Sequence, residues 1–119
     1  MAKNYVIIGG GPAGVGAVSS LRQADPEGAV TLLSAEKRPF YSRIRLPEYL
    51  AGKIGAGDLV IRSREWFEER RVELRLSTPV EGLDTASRTV TLFSGEVLSY
   101  DALLLATGAR ASIPPFPGR

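Results

Sequence analysis

Apolar and polar positions change rhythm along the 119 residues, and each rhythm predicts a different element. Tyr5, Val6, Ile7 and Ile8 form an unbroken, β-prone apolar run, the pattern of a strand covered on both faces, as in a parallel sheet. The run stops at Gly9, Gly10 and Gly11. Pro12 suits a first helical turn, where its missing N–H would have been unpaired anyway, and Ala13, Ala17, Leu21 and Ala24 recur at helical spacing. Pro26 cannot continue that helix and Gly28 permits the turn out of it. Val30, Thr31, Leu32 and Leu33 then read as a second strand that finishes just before Glu36. The whole is a strand, glycine loop, helix, strand unit of about 30 residues.

Residues 46–51 predict a short helix closed by Gly52. Ser63 is placed to N-cap another, with Glu65, Glu68 and Glu69 toward its start and Arg70 and Arg71 at its end, as the helix dipole favours. Trp66 and Phe67 read as its core anchors. From Val72 the period becomes two: Val72, Leu74 and Leu76 alternate, and residues 80–83, 89–93 and 96–99 predict three short strands. Turns at 84–88 and at Ser94-Gly95 make these a small antiparallel meander. A last apolar strand at 102–106 runs into Thr107-Gly108, and the proline-rich residues 113–119 have linker composition.

Composition narrows the chemistry more than the fold. With 44% apolar and 24% charged residues the chain is an ordinary globular sequence of about one domain. It has no cysteine and no histidine, which removes disulfides, thiolate nucleophiles, Ser-His and Cys-His machinery and the usual zinc sites. Any catalysis rests on a cofactor, carboxylates, lysines or tyrosines. The net charge of +2 comes from 15 basic and 13 acidic residues spread along the chain, without the concentrated field that nucleic acid or an anionic membrane requires. No apolar run approaches the ~20 residues that span a bilayer, and no secretory pattern precedes the first strand, so a cytoplasmic protein is expected.

Gly9, Gly11 and Gly14 carry the G-x-G-x-x-G spacing between that first strand and helix. Gly9 permits the tight turn, Gly11 lets a pyrophosphate approach the backbone, and Gly14 allows close helix–strand packing. The helix N-terminus presents free N–H groups and partial positive charge to a diphosphate. Glu36, about twenty residues beyond Gly14 at the end of the second strand, is placed to accept hydrogen bonds from an adenosine ribose. The alternatives are a glycine-rich turn that packs without ligand and a solvated loop carboxylate. Lys37, Arg38, Arg43 and Arg45, interleaved with Pro39, Phe40 and Tyr41, either line a phosphate or an isoalloxazine edge or form a solvated basic loop.

The ordered motifs V-I-I-G-G-G-P-A-G (6–14), S-A-E-K-R-P-F-Y-S-R (34–43), L-P-E-Y-L-A-G (46–52) and Y-D-A-L-L-L-A-T-G-A-R (100–110), followed by P-P-F-P-G, span most of the sequence. Together they resemble the N-terminal segment of FAD-dependent pyridine nucleotide-disulfide oxidoreductases. The nearest branches are the rubredoxin and ferredoxin reductases and the large subunit of NADH-dependent nitrite reductase. The resemblance implies an α/β, Rossmann-like FAD/NAD(P)-binding domain, with FAD as cofactor and NAD(P)H as substrate of the whole enzyme. Electrons would pass to an acceptor protein or a nitrite-reducing centre. It further implies that the loop containing Gly9, Gly11, Pro12, Ala13 and Gly14 holds the FAD pyrophosphate, and that Glu36, with Lys37 beside it, meets the ribose. Arg43 would lie close to the cofactor, the Val80 backbone would meet the adenine, and Ala106, Thr107 and Gly108 would close over the dinucleotide. No residue of the segment is implied as a catalytic group or a metal ligand.

Three departures accompany the resemblance. No cysteine follows the second strand, so a thiol relay is excluded; Glu48 stands where ferredoxin reductases carry a lysine near the flavin; Val18 replaces a usual alanine. The family also continues into an NAD(P)H-binding domain and then returns to complete the FAD domain. On that basis residues 1–112 are expected to be the N-terminal part of the FAD-binding domain, and 113–119 a linker toward an NAD(P)H-binding domain outside this sequence. Such a segment is expected to hold FAD or ADP weakly, to show no turnover, and to self-associate through uncovered apolar surface. A stand-alone adenine-dinucleotide-binding regulatory module, or a structural domain with an empty glycine loop, are the other readings.

Overall fold

The computed structural model describes residues 3–37, 40, 46–55 and 62–107. The first strand, β1 (Asn4–Ile8), lies inside a parallel sheet whose other members are β2 (Ala29–Leu33), β3 (Val72–Arg75) and β7 (Ala102–Leu105). Their order across the sheet is β3-β2-β1-β7. Register places Ile7 opposite Leu32 and Leu104, and Leu32 opposite Leu74. The helix α1 (Pro12–Ala24) makes the crossover from β1 to β2. Two shorter helices follow, α2 (Leu46–Leu50) and α3 (Arg64–Glu69). The period-two region between β3 and β7 forms a second, antiparallel sheet of β4 (Val80–Asp84), β5 (Thr89–Leu92) and β6 (Val97–Ser99), the expected meander. No helix among the described residues is long and apolar enough to cross a membrane.

The unbroken apolar run of β1 is explained by cover on both faces. Ile7 points to one side, where Val30, Leu32 and Val72 meet Val15 and Val18 of α1 and Phe67 of α3. Val6 and Ile8 point to the other, where with Leu33 they pack against Val90, Leu92 and Tyr100. The parallel sheet is therefore the middle of three layers, with helices above and the antiparallel sheet below. Full burial of a side chain such as Leu32 contributes about 1.5–3 kcal/mol.

Two expectations about the helices are corrected. The buried stripe of α1 is Gly14, Val15 and Val18, with Ala17 and Leu21 partly covered; Ala13 and Ala24 are exposed, because the helix rolls its β-branched valines onto the sheet. In α3 only Glu65 lies in the first turn, since the helix is six residues long and Glu68 and Glu69 fall at its C-terminal end. Its charges therefore do not follow the dipole there. Ser63 occupies the N-cap without bonding the helix backbone. Its hydroxyl meets the Glu65 carboxylate, which is held below the ordinary range by its own backbone N–H first and by Ser63 second. Phe67 is buried as expected, and Trp66 is half-buried, with the Arg70 guanidinium 4.0 Å from its ring centre.

At the N-terminal edge of the parallel sheet, α1 is tied down by polar contacts. Arg22 donates to the carbonyls of Gly28 (2.6 Å), Arg70 (2.7 Å) and Arg71 (3.0 Å), joining the end of α1 to the turn that precedes β3. The Tyr5 hydroxyl donates to Asp25 Oδ2 at 2.7 Å, while Asp25 Oδ1 accepts the N–H groups of Glu27 and Gly28. These bonds, the Tyr5 hydroxyl foremost, hold the Asp25 carboxyl below its ordinary value, and the same contact raises the Tyr5 phenol. A depressed carboxyl adds stability that is present above its unfolded pKa of 3.8 and disappears as pH falls through the lower folded value. A raised phenol adds stability that disappears as pH climbs above 10.0 through the higher folded value. Asp25→Ala is therefore expected to lower Tm at neutral pH, with the gap from the parent protein closing below pH ~4. Parallel Tm-against-pH curves for the two proteins would contradict this assignment.

Candidate functional site

The C-terminal ends of β1, β2 and β7 meet at one edge of the parallel sheet, the edge where open α/β sheets bind ligands, and the order β3-β2-β1-β7 carries the first two connections to one side of β1 and the return to β7 to the other. The glycine loop leaves β1 at this point. Gly9 has φ +118, a conformation that a side chain strains, and donates its N–H to the Leu33 carbonyl at 2.8 Å. Ala106, just past β7, donates to the Ile8 carbonyl at 2.8 Å. A Cβ on Gly9 would run into the Ala106 carbonyl, and a Cβ on Gly14 would run into the carbonyl of Gly9. Gly11 is different: nothing stands within 4 Å of where its Cβ would be. Two of the three glycines are thus required by the protein's own backbone, and the third borders open space.

That space adjoins the start of α1. Gly11 is the N-cap, Pro12 is at the first helical position, and no side chain caps the helix. Its first N–H groups have no intrahelical partners, and no acidic residue in the first turn offsets their positive end. Pro12 and Ala13 are exposed. The arrangement favours an anion such as a diphosphate.

Glu36 approaches the same edge from β2. Its carbonyl accepts the Ser77 N–H at 2.8 Å, and its own N–H donates to Ser34 Oγ at 3.2 Å. Ser34 is bonded through its N–H to the Arg75 carbonyl at 2.9 Å and through its carbonyl to the Thr78 N–H at 2.8 Å. The stretch after β2 is zipped to the connector between β3 and β4, which leads directly into Val80. Ser77 holds φ +50 to make its bond, an uncommon conformation for a residue with a Cβ. Glu36 is half-buried, Lys37 exposed, and Val80 half-buried against the lower core.

The geometry brings together Gly9, Gly11, Pro12, Ala13, Gly14, Ala106 and Thr107 at the loop, and Glu36, Lys37 and Val80 on the zipped segments beside it. Arg43 and Gly108 lie outside the described residues. Ser34 and Ser77 take part in the site without having been singled out from the sequence. A serine ending an apolar strand two residues before the acid was the available signal for Ser34; Ser77 offered none, since its backbone conformation follows from the tertiary pairing.

The family model described as pyridine nucleotide-disulphide oxidoreductase matches residues 3–119. The chain is 36% identical over 117 residues to nitrite reductase [NAD(P)H] of Bacillus subtilis (strain 168), covering 98% of this chain and 14% of that protein. It is 37% identical over 116 residues to rhodocoxin reductase of Rhodococcus erythropolis, covering 97% of this chain and 27% of that one. Among solved structures, NADH:rubredoxin oxidoreductase from Clostridium acetobutylicum superposes with a TM-score of 0.87 at 29% identity, over 98% of this chain and 30% of that one. The chain spans less than a third of the length of each of these relatives.

The loop geometry separates two kinds of glycine substitution. Gly9→Ala, which meets both a positive φ and the Ala106 carbonyl, is expected to destabilise the fold by about 2 kcal/mol or more. Gly11→Ala, facing open space at an N-cap, is expected to cost less than about 1 kcal/mol. Urea denaturation measures both, and equal losses would show that Gly11 is packed rather than open.

Proposed function

Since the chain belongs to the pyridine nucleotide-disulphide oxidoreductase family, we propose that it holds the ADP half of FAD at the C-terminal edge of its parallel sheet. The pyrophosphate lies on the glycine loop against the N-terminus of α1, with Gly9, Gly11, Pro12, Ala13 and Gly14 around it. Glu36 accepts hydrogen bonds from the ribose hydroxyls, with Lys37 at its side. The adenine meets the backbone at Val80, and Ala106 and Thr107 flank the loop where the dinucleotide passes. Arg43 and Gly108 complete the set by their place in the sequence motifs. The observation that carries this reading is the open space at Gly11, in a loop whose other two motif glycines are filled by the protein's own backbone.

The whole protein, on this reading, is an NAD(P)H-dependent flavin oxidoreductase that passes electrons to an acceptor protein or a nitrite-reducing centre. The names of its relatives support it, one a nitrite reductase and another a rhodocoxin reductase. When bound, FAD supplies the hydride and electron chemistry; the residues of this chain bind and orient it. Residues 1–112 serve as the N-terminal part of the FAD-binding domain and 113–119 as a linker. Self-association belongs to the same reading, because among the described residues β7 is an edge strand with Leu104 and Leu105 exposed by 40% and 59%, a template for a second copy. Light scattering at tens of micromolar, as an order-of-magnitude setting, is expected to show a dimer or larger species; a monomer would contradict this part.

Calorimetric titration with FAD or ADP tests the binding site. Glu36→Ala is expected to lose about 1–3 kcal/mol of affinity while the Tm of the ligand-free protein stays nearly unchanged. Unchanged affinity would remove Glu36 from the site, and an unfolded variant would make it structural.

A further inference from the structure

Ser34 is the only buried polar side chain among the described residues, with 5% of its surface accessible. It follows Leu32 and Leu33, both buried, so an apolar residue would continue the pattern of the strand. Its hydroxyl oxygen instead accepts the Glu36 N–H two residues on, a local bond that bends the chain out of the strand direction. On its other side it packs on the glycine loop: a Cβ added to Gly10 would sit 3.2 Å from Ser34 Oγ and 3.3 Å from Ser34 Cβ. Its backbone is fixed at both ends, to the Arg75 carbonyl and by the Thr78 N–H. One side chain therefore touches both halves of the site, the loop and the segment that bears the acid, from a rigid anchor in the sheet.

We propose that Ser34 is a positioning residue for the dinucleotide site: its hydroxyl orients Glu36, and its contact with Gly10 sets the spacing between the ribose-binding acid and the phosphate-binding loop. The proposal rests on the reading of Glu36 as the ribose acid. Ser34 itself does not reach the ligand. Replacing it with alanine keeps the packing carbon but removes the hydroxyl that accepts the Glu36 N–H, so the effect falls on contacts to the ribose hydroxyls rather than on the pyrophosphate. Gly10→Ala keeps the hydroxyl but drives a methyl group against it, and acts on the same contacts from the opposite side.

The test titrates ADP and 2′,3′-dideoxy-ADP into the parent chain, Ser34→Ala and Gly10→Ala. The parent is expected to bind ADP more tightly than the dideoxy compound. In Ser34→Ala the affinity for ADP falls by about 3–10-fold, whereas that for dideoxy-ADP stays within about twofold. Unchanged ADP affinity, or an equal loss for both ligands, would overturn the positioning role. A parent chain that binds the two compounds equally, or binds neither, would overturn the reading of Glu36 and the positioning role with it. Should Ser34→Ala not fold, Gly10→Ala decides alone: a loss confined to ADP supports the proposal, and no loss or an equal loss overturns it.

Discussion

Three pieces of backbone share a volume too small for any Cβ: the end of β1 at Gly9, the first turn of α1 at Gly14, and the segment after β7 at Ala106. This close approach is the constraint on which the rest of the site depends. Gly9 can leave β1 at φ +118 only because it is glycine, while its N–H, still in line with β1, continues the pairing with the end of β2. The turn also delivers α1 to the sheet with its N-terminus facing the strand ends. With the helix seated so closely, Val15 and Val18 reach the sheet and close the upper core around Ile7 and Leu32. On the proposed reading, stability and ligand geometry arise from the same contacts, and a substitution at Gly9 or Gly14 damages both at once.

The lower layer contributes differently. The antiparallel sheet covers Val6, Ile8 and Leu33 with Val90, Leu92 and Tyr100, which makes β1 a strand buried on both faces. Its connector to β3 also pairs with residues 34–36, where Ser77 accepts a left-handed conformation to bond Glu36. The Glu36 backbone is consequently anchored just beyond the paired strands, by its bonds to Ser77 and Ser34. An acid presented on such a support loses little conformational freedom on binding, so more of its hydrogen-bond energy appears as affinity.

The strand, loop, helix, strand unit was readable because each piece has a short-range cause: an apolar run, a glycine turn, a proline at the first helical position. The meander was readable for the same reason, through period-two alternation and its turn residues. What sequence reasoning placed wrongly was the roll of α1. Alanines at helical spacing suggested the buried face, while the fit of Gly14 against Gly9 selected the valine face instead. The charges of α3 fall differently from the expectation because the helix is only six residues long, so Glu68 and Glu69 stand at its C-terminal end. The contacts at Ser34 and Ser77 join segments about forty residues apart in sequence and become visible only once β2 and β3 are paired.

In the proposed function, the loop at residues 9–14 and the acid at Glu36 form one binding surface for an adenine dinucleotide. Amide chemical shifts of the chain, followed by NMR as ADP is added, test it most directly. The shifted amides are expected to cluster at residues 9–14 and 34–37, with Val80, Ala106 and Thr107. The far edge of the sheet around Tyr5, Asp25 and Gly28 should stay unmoved. Saturable shifts centred on that far edge, or none at the loop, would contradict it.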